Sequence, residues 1–215
     1  MLRNSLLIIL LMFTGVLHAA NVVEGQQYTV IQPPVLTNVA NDQIEVIEFF
    51  SYGCPHCATL EPHFADWEKN KPKNVIVKKV PVEFNPTWKP YVKLYYIADA
   101  LNVTDKMTPV LFNAIQVKRL DVADEAVAEK LFVDQGVDAQ KFKDAYQSRA
   151  VETKISQASV LTQQYKVARI PLIVVDGRYE TNLGMAGGPE GLKQTLNFLI
   201  SKVEEQRVAA NKVTP

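Results

Sequence analysis

Cys54 and Cys57 are the only cysteines among 215 residues, and they stand two residues apart in Cys54-Pro55-His56-Cys57. A pair at that spacing can hold a metal or cycle between dithiol and disulfide, and a bridge could also tie a short loop. Structural zinc asks for four ligands, often from two such pairs. Beyond the leader described below, only His56 and His63 could join the two sulfurs, and His56 sits between them with an awkward reach to a shared ion. A structural disulfide stabilises more as it closes a longer loop, and this one would close almost nothing. Position favours redox chemistry, because the pair falls where an apolar strand gives way to a helix.

At the first turn of a helix, a sulfur meets unpaired backbone N–H groups and the positive end of the helix dipole. Both favour thiolate over thiol, so the Cys54 pKa should fall. A protonated His56 would add positive charge beside the same sulfur, and Pro55 fixes the turn. Cys57, a turn further in, should be more buried and less acidic. Cys54 is then the attacking and leaving sulfur, and Cys57 the resolving one. Each pKa unit below ambient pH favours the reduced state by about 1.4 kcal/mol, or about 30 mV in a two-electron couple. A depressed Cys54 therefore makes a disulfide donor. Glu48 is a further candidate: its neighbours Val46, Ile47, Phe49 and Phe50 read as a buried strand, burial raises a carboxyl pKa, and it could exchange a proton with Cys57.

These side chains need a scaffold. The run IEVIEFF at residues 44–50 reads as a strand, Gly53 breaks it, and Leu60, Phe64 and Trp67 follow at helical spacing. Pro55 suits a first helical turn, and Pro62 should kink the helix. Residues 74–84, NVIVKKVPVEF, read as a second strand, so strand, helix and strand make a right-handed parallel unit. From 86 to 166 the pattern is helical. YVKLYYIADALNV is one helix, TPVLFNAIQVKRL another with Thr108 as N-cap and Pro109 in its first turn. DEAVAEKLFVDQG ends at Gly136, Asp138 caps AQKFKDAYQSRAV, and a last helix runs towards Tyr165. Strand character returns in IPLIVVDGRYETN, where Asp176 and Gly177 mark a hairpin. An amphipathic helix with Leu192, Leu196, Leu199 and Val203 on one face then closes the chain, before a tail at 211–215. The result is an α/β chain: a thioredoxin-like fold with an inserted all-helical domain. Its divisions are a leader at 1–20, a first thioredoxin-like part at 21–85, the helical domain at 86–166 and a second part at 167–215.

The leader is read from Arg3, the apolar run at residues 6–13, Gly15 and the pair Ala19-Ala20. These are the parts of a signal peptide cleaved near Ala20, and export to an oxidising compartment suits a disulfide. Apolar residues make up 47% of the chain, enough for a sizeable core, and the formal net charge of zero gives no basic surface for nucleic acid.

FFSYGCPHC, the helical insertion, RIPLIVVDGRY and AGGPE before the last helix together resemble the DsbA family of periplasmic thiol–disulfide oxidoreductases, over essentially the whole chain after the leader. The resemblance implies a cis-proline facing the cysteines, at Pro171, with backbone groups of Ile170 turned towards an extended substrate. It implies an acidic–basic cluster from Glu61 and Lys79 near the site, beside the Pro55, His56 and Glu48 already read as catalytic from the residues. Leu183 and Met185 could border an apolar substrate groove, and His63 reads as a surface residue. The resemblance further implies unfolded exported proteins with cysteines as substrates, and a quinone-linked membrane oxidase of the DsbB type as the reoxidising partner. No cofactor or metal is expected beyond the Cys54–Cys57 disulfide itself. The alternatives are a reductase or isomerase of the same fold, a groove-binding chaperone with incidental cysteines, and a metal chaperone.

Overall fold

The computed structural model describes residues 22–213, so the leader read at 1–20 and its cleavage near Ala20 lie outside the described residues. The central strand β2 (Ile44–Phe50) buries all seven of its residues, as its apolar, branched and aromatic run requires. Helix α1 (Pro55–Asn70) carries the chain across to β3 (Val75–Pro81), which pairs with β2 in parallel. On the other side β2 meets β4 (Leu172–Val175) in antiparallel register, and β4 turns into β5 (Tyr179–Thr181). A two-residue strand β1 (Thr29–Val30) closes the sheet against β5, giving the order β1-β5-β4-β2-β3. The sequence reading has no β1, since two residues cannot display an alternation. The hairpin turn centres on Asp176 and Gly177, with φ of 53° and 63°. A Cβ on Gly177 would lie 2.0 Å from the Val35 carbonyl oxygen, so both the φ and the close approach require glycine.

The sheet is covered on both faces. Ile44, Val46, Ile173 and Val175 pack against Leu60, Phe64 and Trp67 of α1 and against Leu192, Leu196, Leu199 and Val203 of α7 (Pro189–Val213). Helix α7 continues to Val213, through residues that the sequence reading gave to a tail. Pro62 is accommodated inside α1, which is a single helix from Pro55 to Asn70. On the opposite face Ile47, Phe49, Val80 and Val174 share one apolar cluster with the helical block.

That block comprises α2 (Lys89–Ala100), α3 (Thr104–Phe112), α4 (Glu125–Val133), α5 (Ala139–Tyr146) and α6 (Arg149–Gln164). Asp124 caps α4 and Asp138 caps α5, each accepting hydrogen bonds from first-turn N–H groups. Two boundaries differ from the sequence reading. Thr108 is not an N-cap: α3 starts four residues earlier, at Thr104, because Met107 and Leu111 extend its buried face, and Pro109 lies inside the helix. The segment that began at Ala139 divides at residues 147–148, where the Ser148 hydroxyl accepts from the Ala150 N–H and starts α6. After α3 the backbone widens into one π-helical turn, Asn113–Val117.

Candidate active site

Strand β2 delivers the chain to a tight turn at residues 51–53, and Cys54 is the N-cap of α1 with extended backbone angles. The Cys54 N–H donates to the Ser51 carbonyl at 3.0 Å, and the Gly53 N–H to Ser51 Oγ at 3.2 Å. Gly53 is there because Trp88 and Tyr91 close over it: a Cβ would meet their rings at 2.8–2.9 Å. Cys57 is fully buried and Cys54 is 6% exposed, and the pair is unbridged, as the dithiol.

The two sulfurs are strongly polarised. The Cys54 thiol is lowered to about 6, first by the hydrogen bond from the Cys57 thiol. Partial burial opposes this, while the backbone N–H groups of Cys57 and His56 and the charge of His56 assist it. None of these N–H groups closes a capping hydrogen bond of ordinary geometry. Burial pushes the Cys57 thiol up, and its hydrogen bond to Cys54 and the Cys54 charge push it further. The proton therefore stays on Cys57 and the charge on Cys54. The direction follows from the helix start, but the leading cause is the partner sulfur, which the spacing of the cysteines alone did not rank.

Across from the cysteines, the Ile170–Pro171 peptide bond is cis. Cys54 Sγ lies 3.6 Å from the Ile170 carbonyl oxygen, a contact in which Cys54 can donate only when protonated. Beside this contact runs a groove of about 460 Å³ lined by His56, Arg169, Ile170, Pro171, Asn182, Leu183 and Gly184. Leu183 is thus on the groove. Met185 is not among its lining residues; its N–H donates to Asn182 Oδ1 at 2.9 Å. His63 is exposed on α1. Among the described residues no three His, Cys, Asp or Glu side chains gather as metal ligands would.

Parallel register places Glu48 opposite Lys79, and α1 brings Glu61 to the same place. Lys79 Nζ donates to both Glu61 carboxylate oxygens, at 2.8 and 3.0 Å, and stands 3.8 Å from Glu48 Oε2. Glu48 is fully buried and neither of its oxygens has a hydrogen-bond partner. Burial pushes its carboxyl up to about 8; the Lys79 charge opposes that and the Glu61 charge reinforces it. Burial works against the charge on Lys79, and the two carboxylates outweigh it, leaving that amine raised. One ammonium serves two carboxyls, Glu61 holds it at hydrogen-bond distance, and Glu48 keeps its proton.

One residue of the site escaped the sequence reading. Gln116, in the π-helical turn, donates through Nε2 to the carbonyls of Tyr52 at 2.7 Å and Cys54 at 3.0 Å. The helical block thus holds both ends of the turn that carries Cys54. A widened turn is a frequent device at functional sites, but the sequence pattern at residues 108–120 reads as ordinary helix and carries no signal for it.

The comparisons with known proteins agree on one family. A family model described as a DSBA-like thioredoxin domain matches residues 90–197. The chain is 34% identical over 209 residues to thiol:disulfide interchange protein DsbA of Burkholderia cepacia, covering 96% of this chain and 99% of the relative. It is 30% identical to the protein of the same name from Pseudomonas aeruginosa, over 98% of this chain and 100% of that one. The crystal structure of Pseudomonas aeruginosa DsbA superposes with a TM-score of 0.78 at 30% identity, over 88% of this chain and 97% of that one. For the oxidoreductase NmDsbA1 from N. meningitidis the TM-score is 0.77 at 27% identity, over 87% and 97%. With a polarised cysteine pair at a strand-to-helix junction and these relatives along nearly its whole length, the chain belongs to the DsbA family and is a thiol–disulfide oxidoreductase.

Proposed function

We propose that the oxidised protein donates its Cys54–Cys57 disulfide to newly exported, unfolded proteins in the periplasm. The observation that carries this is the opposed polarisation of the two sulfurs, with Cys54 lowered to about 6 and Cys57 raised. A substrate thiolate attacks Cys54 Sγ, the Cys54–Cys57 bond breaks, and a mixed disulfide forms at Cys54. Cys57 departs as a thiolate in a site that favours its thiol, so it takes up a proton. Glu48, buried and protonated up to about pH 8, is the group suited to supply it. The substrate's second cysteine then attacks its own sulfur in the mixed disulfide, and Cys54 leaves as a stabilised thiolate. Two substrate thiols have become a disulfide, and the enzyme disulfide has become a dithiol. Pro171 and the Ile170 backbone border the place where the substrate chain lies, and His56 lines the same groove.

At pH 7 a thiol of pKa about 6 favours the reduced form by about 1 kcal/mol, or about 20–30 mV, after allowance for solvent screening at a partly open sulfur. The dithiol product needs reoxidation, for which the family resemblance supplies a quinone-linked membrane oxidase of the DsbB type. Among the described residues no helix is long and apolar enough to cross a membrane. Equilibration of the purified protein in glutathione buffers of known ratio tests the reading. Half-reduction well above the glutathione potential is the expected result. Half-reduction near thioredoxin's value of about −270 mV would overturn it and make the protein a reductase.

A further inference from the structure

The groove beside Cys54 is asymmetric in charge. Its floor is apolar, from Ile170, Pro171 and Leu183, and its polar lining residues are His56, Asn182 and Arg169, with no acidic residue among them. Arg169 is exposed and makes no ion pair with any described residue, whereas Arg178 and Arg207 both pair with Asp176. The formal net charge of the chain is zero, so this free guanidinium is a local feature and not part of a general basic surface. Its place in the chain is exact to one residue. Arg169 precedes Ile170, whose carbonyl oxygen is 3.6 Å from Cys54 Sγ, and so flanks the point where an incoming sulfur must arrive.

We propose that Arg169 selects among substrates by charge, favouring extended cysteine segments that carry an acidic side chain two residues from the reacting cysteine, on the groove-facing side. This rests on the disulfide-donor reading above and adds a substrate class to it. A peptide laid along the residues 169–171 loop presents its side chains alternately to the groove and away from it. With its cysteine facing Cys54, the side chains two residues away face the same groove, and one of them falls on the Arg169 side. A carboxylate there meets a guanidinium that pairs with no described residue, in the fork geometry that suits carboxylates. A lysine there meets a like charge. His56 and Asn182 are the other polar lining residues and are the same in every Arg169 variant, so a difference between variants reports the guanidinium.

The test is the rate at which three cysteine peptides reduce the oxidised full-length exported protein. The peptides are identical except that Glu, Gln or Lys stands two residues from the cysteine on either side. Mixed disulfides at Cys54 are trapped by acid quench and counted by mass. Within each protein variant the Glu and Lys rates are divided by the Gln rate, and each ratio is compared between variants, which removes the effect of flanking charge on the peptide thiol itself. Relative to Arg169→Ala, the unaltered protein should favour Glu over Lys by about two- to fivefold at low ionic strength, with the difference shrinking as salt is added. Arg169→Glu should invert the order and Arg169→Lys should restore most of it. Equal ratios in the unaltered protein and Arg169→Ala would overturn the proposal. Absence of any mixed disulfide at Cys54 with all three peptides would instead overturn the donor reading beneath it.

Discussion

Cys54 and Glu48 are the two groups whose protonation carries the reaction, and their pKa values move in opposite directions for identifiable reasons. Cys54 gains a hydrogen-bonding partner sulfur and first-turn N–H groups and falls to about 6; Glu48 loses water, gains no hydrogen bond and rises to about 8. In the reduced protein, alkylation of Cys54 by iodoacetamide should therefore follow a single titration with a midpoint near pH 6, while Cys57 stays unmodified. A midpoint near 8.5, the value of an ordinary thiol, would remove the basis of the donor reading. Glu48 makes a separate prediction about stability. Its folded pKa lies above its unfolded value, so its contribution is complete below about pH 4.5 and is lost as pH rises through about 8. Lys79, Glu61 and Glu68 are the charged groups facing it, and the Lys79–Glu61 pair survives its replacement. Glu48→Gln should stabilise the protein at pH 7 by on the order of 2 kcal/mol, and the advantage should vanish near pH 4. Urea unfolding at the two pH values checks this, and a gain of equal size at pH 4 would mean that the cost of keeping Glu48 protonated above its unfolded pKa is not its source.

The elements position these groups, and the least expected contribution comes from the turn after α3. Gln116 reaches from the helical block to the carbonyls of Tyr52 and Cys54, and Tyr52 packs its ring edge-on to Phe50 and Phe112. Gln116→Ala removes both donors and should cost about 1–2 kcal/mol. Amide exchange should quicken at residues 53–58 while α4 and α5 keep their protection. Unchanged exchange at the turn would mean that β2 and α1 hold it unaided. The division between what could and could not be read in sequence follows the range of the interactions. β2, α1, β3 and the Asp176–Gly177 turn announce themselves through residues that are neighbours in the chain. The stripe Leu192, Leu196, Leu199 and Val203 does the same for α7. Strand β1 is too short to carry a pattern and exists because β5 offers it an edge. The start of α3 was misplaced because Thr108-Pro109 imitates a helix N-terminus, while the deciding side chains Met107 and Leu111 bury against distant residues. Gln116 shows its role only once α3 is folded against the cysteine turn, 62 residues away from Cys54.

Across the whole molecule, one apolar cluster runs from Ile47, Phe49 and Val174 of the sheet through Tyr52, Phe112 and Leu94 to Phe132 and Phe142 of the helical block, and it includes both cysteines. The redox state of the pair is therefore coupled to unfolding of the entire chain, and the coupling has a definite sign. In the oxidised protein the bridge spans two residues and constrains the unfolded chain very little. In the reduced protein the fold stabilises a thiolate that the unfolded chain does not. Because the folded pKa of Cys54 is depressed, that stabilisation is full above the ordinary thiol pKa and is lost as pH falls through about 6. Reduced protein should thus unfold at higher urea than oxidised protein at pH 8–9, by about 2 kcal/mol after discounting for solvent at the sulfur. The gap should narrow steadily down to pH 6 and level off below it. By the thermodynamic cycle, the same gap is the amount by which folding makes the disulfide a better oxidant than it would be in an unfolded chain. Urea midpoints for both redox forms from pH 5 to pH 9 measure it without any substrate or partner. If the oxidised form were the more stable at pH 8, the fold would be holding the disulfide and not releasing it, and the protein would have to act by reducing its substrates.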